Sequence, residues 1–275
     1  MVESITPHAT PAITHMTYYD KFAKLWHSVT GYKGGAFKEH VLNDVLLNKL
    51  PAIHNRSILE LGAGNGYFMP LVLRRFSGQI PASIAITDCS DQLLKIAQKE
   101  FYIPIAQYQR LDIRSPFPFE NNRFDIILAI MIFNEIPPKG FGNALRECYR
   151  VLSDEGLLLI AVIHPEFIDG LQKRGLLKRT TGNTLTMPST GSLRLPVIVR
   201  PLVIYRNSLE EAGFQYEEED VYPTAQVLKE KSGLRDVGRV PLALVFRCFK
   251  VEERSNCTQG GNSSPSGGPG LTNKN

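Results

Sequence analysis

The sequence predicts an α/β fold in which a mostly parallel sheet is covered by helices on both faces, giving three layers. The chain has 275 residues, of which 43% are hydrophobic, and this is enough to bury a sizeable core. Short apolar runs alternate with segments of helical periodicity through the middle of the chain, and this alternation is typical of parallel sheets. Disorder as the main state is therefore excluded.

Five strand-like runs form the predicted centre of the sheet. They are residues 57–61, 83–87, 105–110, 124–130 and 157–163, with helix-like segments at 67–76, 91–101 and 139–152 between them. Two helices are predicted before the first strand, because apolar residues recur at helical spacing over 18–29 and 37–50. Two later runs, 214–221 and 241–251, are predicted to add an antiparallel edge to the sheet.

The segment 165–209 interrupts this alternation. It contains several prolines and is too long for an ordinary connection after a strand, so we predict an insertion with a functional role. Its seven basic and two acidic residues give it a charge of +5, more than the +4 of the whole chain. Both ends of the chain are predicted to be mobile, because residues 1–16 have no periodic pattern and residues 253–275 are small and polar.

The composition excludes several classes of protein. The longest apolar run, 126–133, has eight residues, far fewer than the ~20 that a membrane-spanning helix needs. The N-terminus lacks a basic patch followed by an apolar stretch, so no secretory signal is predicted and the cytoplasm is the expected compartment. The four cysteines form no Cys-x-x-Cys pair, so neither a metal site nor a disulfide framework is expected.

Three glycines, Gly62, Gly64 and Gly66, lie between the first strand and the helix that follows it. Such a loop lets a ligand approach bare backbone. The third glycine comes one residue too early for the dinucleotide fingerprint, and no Lys-Ser/Thr pair follows as in nucleoside-triphosphate loops. Nicotinamide, flavin and nucleoside-triphosphate cofactors are therefore disfavoured.

Two acidic residues narrow the choice of ligand further. Glu60, at the end of the first strand, would repel a pyrophosphate and would suit a ligand with an ammonium or sulfonium charge. Asp88, at the end of the second strand, can accept hydrogen bonds from ribose hydroxyls, although it could instead cap the next helix beside Ser90. Ribose and a positive charge together point to one common cofactor.

With these residues, the sequence resembles the class I S-adenosylmethionine-dependent methyltransferases over nearly all of residues 50–165. The resemblance implies a Rossmann-like fold, with a seven-stranded sheet whose last strand is antiparallel, and S-adenosylmethionine as the cofactor. It also implies a helical lid at 1–50 and a cofactor-binding domain at 51–252. The residues that it assigns to the cofactor are Glu60, Gly62, Ala63, Gly64, Gly66, Asp88, Cys89, Asp112, Ile113 and Ala129.

Within this resemblance, two residues match the adenine site. Asp112 matches the position whose side chain reaches the adenine amino group, and Ile113 matches the position against the ring. Asp112 could instead be a turn residue before Pro116.

Two residues are candidates for a base that removes a proton from the acceptor. His164, the first candidate, follows the fifth strand at the carboxyl edge of the sheet, but it could simply hydrogen-bond the backbone before Pro165. Glu135 follows the fourth strand, where related enzymes often shape the acceptor site, and its alternative role is charge compensation at a helix N-terminus.

The leading hypothesis is a small-molecule methyltransferase in which 1–50 and 165–209 form the lid and the acceptor pocket. The charge of 165–209 would suit an anionic acceptor, but it would equally suit a solvated surface. A nucleic-acid methyltransferase is the runner-up, although the Asp/Asn-Pro-Pro-aromatic tetrapeptide of base-modifying relatives is absent after the fourth strand. A non-catalytic cofactor-binding scaffold is the third class. No residue pattern indicates the methylated atom or the oligomeric state.

Overall fold

A seven-stranded sheet with helices on both faces forms the body of the protein. The computed structural model describes residues 15–181, 184–188, 194–225, 228 and 240–251. The strands are β1 (Ser57–Leu61), β2 (Ser83–Asp88), β3 (Ala106–Arg110), β4 (Phe124–Ile130), β5 (Leu152–Ile163), β6 (Lys178–Thr181), β7 (Thr184–Pro188), β8 (Arg194–Ile198), β9 (Phe214–Val221) and β10 (Ala243–Lys250). The helices are α1 (His15–Thr30), α2 (Gly35–Phe37), α3 (Asn43–Lys49), α4 (Phe68–Arg75), α5 (Asp91–Glu100), α6 (Pro138–Val151), α7 (Pro165–Lys173) and α8 (Leu202–Glu211), with a π-helical turn at Lys38–Leu42 and a 3₁₀ turn at Phe133–Glu135.

The strand order β3-β2-β1-β4-β5-β10-β9 confirms the predicted seven-stranded sheet. β1 pairs in parallel with β2 and β4, and β4 pairs in parallel with β5. All five residues of β1 are buried, as expected for a central strand that is covered on both faces. Ile58 packs in the apolar layer that includes Phe68 of α4, whereas Leu59 packs in the layer that includes Leu145 of α6. The carboxyl ends of β1, β2 and β4 therefore meet at one edge of the sheet.

The last strand, β10, is antiparallel as predicted, and it lies between β5 and β9. The outermost strand is thus β9, which pairs antiparallel with β10 and exposes a row of carboxylates to water: Glu217, Glu218 and Glu219. The first four residues of β10 are buried and apolar, which suits an interior position. A charged outer strand resists pairing with the strands of other chains.

The N-terminal helix α1 packs against α5. Its Asp20 accepts hydrogen bonds from the Ser90 hydroxyl (2.7 Å) and from the backbone N–H of Gln92 (3.1 Å), at the beginning of α5. Because α5 follows the carboxyl end of β2, α1 lies at the same edge of the sheet as the glycine loop.

The tail 253–275 and most of 1–16, both predicted to be mobile, lie outside the described residues. Within the described ranges, no helix is long and apolar enough to cross a membrane.

The segment after β5 has a structure of its own. After α7, the strands β6, β7 and β8 form a three-stranded antiparallel sheet that the sequence did not predict. Pro196 lies in β8, an edge strand of that sheet, where the missing N–H of proline is tolerated. The helix α8 begins inside the segment 165–209 and packs on the main sheet through Tyr205 and Leu209.

Candidate active site

The loop after β1 has left-handed backbone at its three glycines. Gly62, Gly64 and Gly66 have φ angles of 61°, 60° and 81°. At Gly66 a Cβ would lie 2.6 Å from the Cβ of Ala97 on α5, so only glycine allows the loop and the helix to approach this closely. The N–H of Ala63 donates to the Thr87 carbonyl (2.9 Å), which fixes the loop to the end of β2.

Replacing Gly66 with alanine should lower the free energy of unfolding by roughly 2–4 kcal/mol, because the methyl group strains a left-handed backbone and collides with Ala97. Gly78→Ala is the matched control, since Gly78 has a φ of 86° and its Cβ would meet nothing within 4 Å. Urea denaturation should show the larger loss for Gly66→Ala. Equal losses in the two variants would mean that backbone strain alone matters.

Asp88 connects the glycine loop to the beginning of α5. Its Oδ2 accepts a hydrogen bond from the Gly64 N–H (2.8 Å), and its Oδ1 accepts one from the Ser90 N–H (2.9 Å). The residue is 6% exposed, and burial raises the pKa of its carboxyl group although these hydrogen bonds oppose the rise. The cap of α5 is Ser90, whose hydroxyl accepts from the Leu93 N–H (3.1 Å). Asp88 therefore lies beside the glycine loop and is not the N-cap of α5.

Glu60 brings a second carboxyl group to this edge. It is 3% exposed, and its Oε2 has no hydrogen-bond partner among the residues that the structure describes. Burial raises the pKa of the carboxyl group to about 8, with Lys38 opposing the rise and Asp88 adding to it. An unpartnered buried oxygen is unfavourable. We therefore expect this position to suit a cationic or hydrogen-bond-donating group of a ligand.

Lys38, on the π-helical turn, supplies a cation that the sequence analysis missed. Its Nζ lies 5.1 Å from the ring centroid of Tyr67 and 6.0 Å from that of Trp26. Burial lowers the pKa of its ammonium group to about 8, while Glu135 and Glu60 oppose the fall. It forms no salt bridge with any described residue. Short π-helical turns often occur at functional sites, but no local sequence pattern around Lys38 signals one.

Glu135 and Tyr19 join the turn after β4 to the N-terminal helix. The Tyr19 hydroxyl donates a hydrogen bond of 2.6 Å to Oε2 of Glu135. Burial raises the pKa of the Glu135 carboxyl group to about 8, and burial together with Glu135 raises the pKa of Tyr19 well above its usual value. Asp88 and Lys38 also act on the pKa of Glu135, so the structure brings these groups together at one edge of the sheet.

Asp112 and Ile113, the residues expected at adenine, lie just after β3. The Asp112 carboxylate accepts from Nε of Arg114 (2.8 Å) and forms a salt bridge with that guanidinium. An adenine amino group would therefore share this carboxylate with Arg114. Ile113 is buried in the layer that contains α6.

Two other expected cofactor residues lie at the ends of β2 and β4. Cys89 is partly buried beside Asp88. Burial is the main cause of the raised pKa of its thiol, and the negative charge of Asp88 adds to the rise. Ala129 is fully buried in β4, and its side chain packs in the core between the sheet and α6. Ala129, backbone included, is therefore inaccessible to a ligand in this structure.

His164 does not join this group of residues. Its Nδ1 accepts a hydrogen bond from the Glu166 N–H (3.1 Å) as the N-cap of α7, and its Nε2 lies 3.2 Å from Oδ1 of Asp220 on β9. The ring is buried and both of its nitrogens have protein partners. The geometry thus favours the backbone-bonding role that the sequence analysis kept as the alternative.

The central part of the chain is similar to known methyltransferases. Residues 58–156 match a family model described as a methyltransferase domain. Over 109 residues the chain is 34% identical to the tRNA N(3)-methylcytidine methyltransferase Mettl2 of Drosophila melanogaster, covering 38% of this chain and 33% of that protein. Over 151 residues it is 26% identical to a malonyl-[acyl-carrier protein] O-methyltransferase of Halorhodospira halophila, covering 53% of this chain and 48% of that protein. The chain thus spans between a third and a half of the length of these relatives.

A solved structure shares the fold. The crystal structure of an S-adenosylmethionine-dependent methyltransferase from Mesorhizobium loti matches with a TM-score of 0.58 at 17% identity, covering 78% of this chain and 98% of that one. A likeness at this identity shows the fold alone. The family match extends from β1 to the start of β5 and includes Glu60, Asp88 and Glu135. Residues 58–156 therefore match a methyltransferase domain, and the chain shares the fold of an S-adenosylmethionine-dependent methyltransferase.

Proposed function

We propose that the protein transfers a methyl group from S-adenosylmethionine to a small-molecule acceptor by in-line displacement. When bound, this cofactor supplies a methyl group on a positively charged sulfur, which keeps the electron pair of the broken carbon–sulfur bond. Because the methyl group is already activated, the protein mainly has to align the acceptor and exclude water. The observation that carries the proposal is the group of charged side chains around the glycine loop, namely Lys38, Glu60, Asp88 and Glu135.

These side chains fit the amino-acid end and the ribose of the cofactor. The free Oε2 of Glu60 would accept hydrogen bonds from the ammonium group, and Lys38 would pair with the carboxylate. The negative charge of Glu60 would then meet the ammonium group of the ligand, and the positive charge of Lys38 would meet its carboxylate. Asp88, held by the N–H groups of Gly64 and Ser90, would accept hydrogen bonds from the ribose hydroxyls.

Glu135 would act as the general base for a hydroxyl or amine acceptor. A pKa of about 8 means that this carboxylate, once ionised, takes up a proton more readily than an ordinary glutamate does. The hydrogen bond from Tyr19 keeps Oε2 of Glu135 directed toward the N-terminal helix. The acceptor would therefore lie between α1 and the turn after β4.

The N-terminal helix would act as a lid. Nε1 of Trp26 lies 3.1 Å from the place where a Cβ of Gly64 would be, so α1 covers the glycine loop. Asp20 holds α1 to the beginning of α5 through Ser90. We expect α1 to move away for the cofactor to enter and to return before methyl transfer, which would exclude water from the reaction.

Asp88→Ala should weaken the binding of S-adenosylhomocysteine by about 30-fold or more, because it removes the ribose acceptor and releases the Gly64 N–H. Asp125→Ala is the matched control, since Asp125 also accepts a backbone N–H, that of Ser57 (2.8 Å), but lies at the amino-terminal end of β4. Calorimetric titration should show binding to the wild type and to Asp125→Ala, and none of NADH. A wild type that does not bind S-adenosylhomocysteine would contradict the proposed function.

A tRNA acceptor is the second candidate, and the similarity to the Drosophila tRNA methyltransferase favours it. Three of the seven basic residues in 165–209 are poorly available to phosphates: Lys173 pairs with Asp169, Arg206 pairs with Glu218, and Arg200 is buried. These contacts support a small-molecule acceptor and weaken the argument for an anionic one. Gel-shift titration with tRNA at two salt concentrations separates the candidates, because tight, salt-sensitive binding would favour tRNA.

A further inference from the structure

Arg200 is a buried cation with no carboxylate partner among the described residues. It is 3% exposed, and its guanidinium lies 4.2 Å from the ring centroid of Phe141. Its Nη1 donates to the carbonyl of Phe133 (2.9 Å) and to the hydroxyl of Tyr205 (3.3 Å), and its Nη2 donates to the carbonyl of Ile136 (2.6 Å). In the part of the chain that the structure describes, nothing accepts a hydrogen bond from its Nε and no acid forms a salt bridge with it.

The two carbonyls that Arg200 binds lie on either side of Glu135 in the chain. Phe133 begins the 3₁₀ turn that ends at Glu135, and Ile136 is the next residue. A turn of three residues has few hydrogen bonds of its own, so contacts from outside determine its orientation. Arg200 holds both ends of this turn with one rigid, planar group.

A purely structural role leaves the choice of arginine unexplained. Burying a guanidinium without a counter-charge is unfavourable, and an apolar side chain would fill the same space at lower cost. We propose that Arg200 is a positioning residue of the methyl-transfer reaction, which rests on the proposed function: it fixes the 3₁₀ turn so that Glu135 stays directed at Tyr19 and at the acceptor.

This role connects the segment 165–209 with the turn that carries Glu135. Arg200 lies between β8, the last strand of the small sheet, and α8. The segment that interrupts the regular alternation of strands and helices thus supplies the group that orients the proposed base. Arg200 is one of the seven basic residues of 165–209 whose charge would suit an anionic acceptor, but its guanidinium is occupied by carbonyls and an aromatic ring.

The test measures the ionisation of Glu135 and needs no acceptor. Protein labelled with ¹³C at the glutamate carboxyl carbon is titrated by NMR, and Glu135→Gln assigns the signal. Among the described residues, the titratable groups that act on Glu135 include Tyr19, Lys38, Asp88 and Cys89. All of them are kept in the Arg200 variants described below.

In Arg200→Met we expect the titration midpoint of Glu135 to fall by about one pH unit or more, because a loosened turn exposes the carboxyl group to water. Arg200→Lys keeps the charge but cannot reach both carbonyls with one nitrogen, so it should give a smaller shift in the same direction. Hydrogen exchange of the peptide 131–137 should become faster in the same order. If Arg200→Met does not fold, the titration midpoint of Glu135 in Arg200→Lys still tests the proposal.

Arg150→Met is the matched control, because Arg150 also donates to two carbonyls, those of Phe117 (2.9 Å) and Phe119 (2.7 Å), before the start of β4. It should leave the midpoint of Glu135 unchanged. An unchanged midpoint in both Arg200 variants, or an equal shift in Arg150→Met, would overturn the proposal. Failure of the wild type to bind S-adenosylhomocysteine would contradict the proposed function instead, since the NMR measurement requires no ligand.

Discussion

Replacing Lys38 with methionine should weaken the binding of S-adenosylhomocysteine by about 30-fold and change the binding of 5′-deoxy-5′-methylthioadenosine little. Both ligands contain the adenosine and the thioether sulfur, but only the first carries an amino-acid carboxylate. Methionine retains the packing against Tyr67 and Trp26 and removes the charge. The ratio of the two affinities, measured by calorimetry, therefore isolates the contact between Lys38 and the carboxylate.

Lys33→Met is the control for this experiment, because Lys33 is a more exposed lysine that pairs with Glu39 on the π-helical turn. It should leave both affinities unchanged. The pKa of Lys38 is lowered to about 8, so the affinity of the wild type for S-adenosylhomocysteine should decrease above that pH, as the lysine loses its charge. Equal losses for both ligands in Lys38→Met would mean that Lys38 supports the shape of the site and does not bind the carboxylate.

Glu135→Gln should slow methyl transfer by about 10²–10⁴-fold, with a much smaller effect on cofactor binding. Burial raises the pKa of this carboxyl group to about 8, so the proton-accepting form becomes populated as the pH rises through that value. The wild-type rate should increase over the same range, and the glutamine variant should lack this increase. Single-turnover transfer of a labelled methyl group, to an acceptor found by screening, measures both rates.

His164→Asn compares the two bases that the sequence suggested. Asparagine is a good N-cap, so it should preserve the beginning of α7 and leave the rate within a few-fold of the wild type. If His164→Asn removed the pH dependence and Glu135→Gln retained it, the assignment of the base would be reversed.

The main sheet could be predicted because buried parallel strands are continuous apolar runs. β1 and β4 have the bounds that the apolar pattern indicates. The three-stranded sheet of β6, β7 and β8 could not be predicted, because its short strands are rich in polar residues and contain prolines, which ordinarily signal turns.

Part of the candidate site follows from topology. Glu60, Asp88 and Glu135 each lie at or just after the carboxyl end of a parallel strand, so the strand order brings them to one edge of the sheet. His164 also follows a strand, β5, but its side chain contacts Asp220 on β9, the outermost strand of the sheet, two strands away from β5. Strand position thus predicts the edge where a residue lies, but not the direction of its side chain.

Lys38 and Arg200 could not be recognised from the sequence. Each reaches its place through tertiary packing, Lys38 from a π-helical turn before β1 and Arg200 from the chain after β8. In the sequence they resemble the other basic residues, most of which are solvated in any protein. Their burial against aromatic rings distinguishes them, and this depends on residues that are distant in the chain.

The position of β10 has a consequence for folding during synthesis. In the sheet, β10 lies between β5 and β9 and pairs with both, and it leaves the ribosome after both of them. Until it emerges, both strands keep an edge open to pairing with other chains. A nascent or truncated chain that ends before Ala243 is therefore expected to associate with other copies or with chaperones, and the sheet is completed only when β10 is inserted.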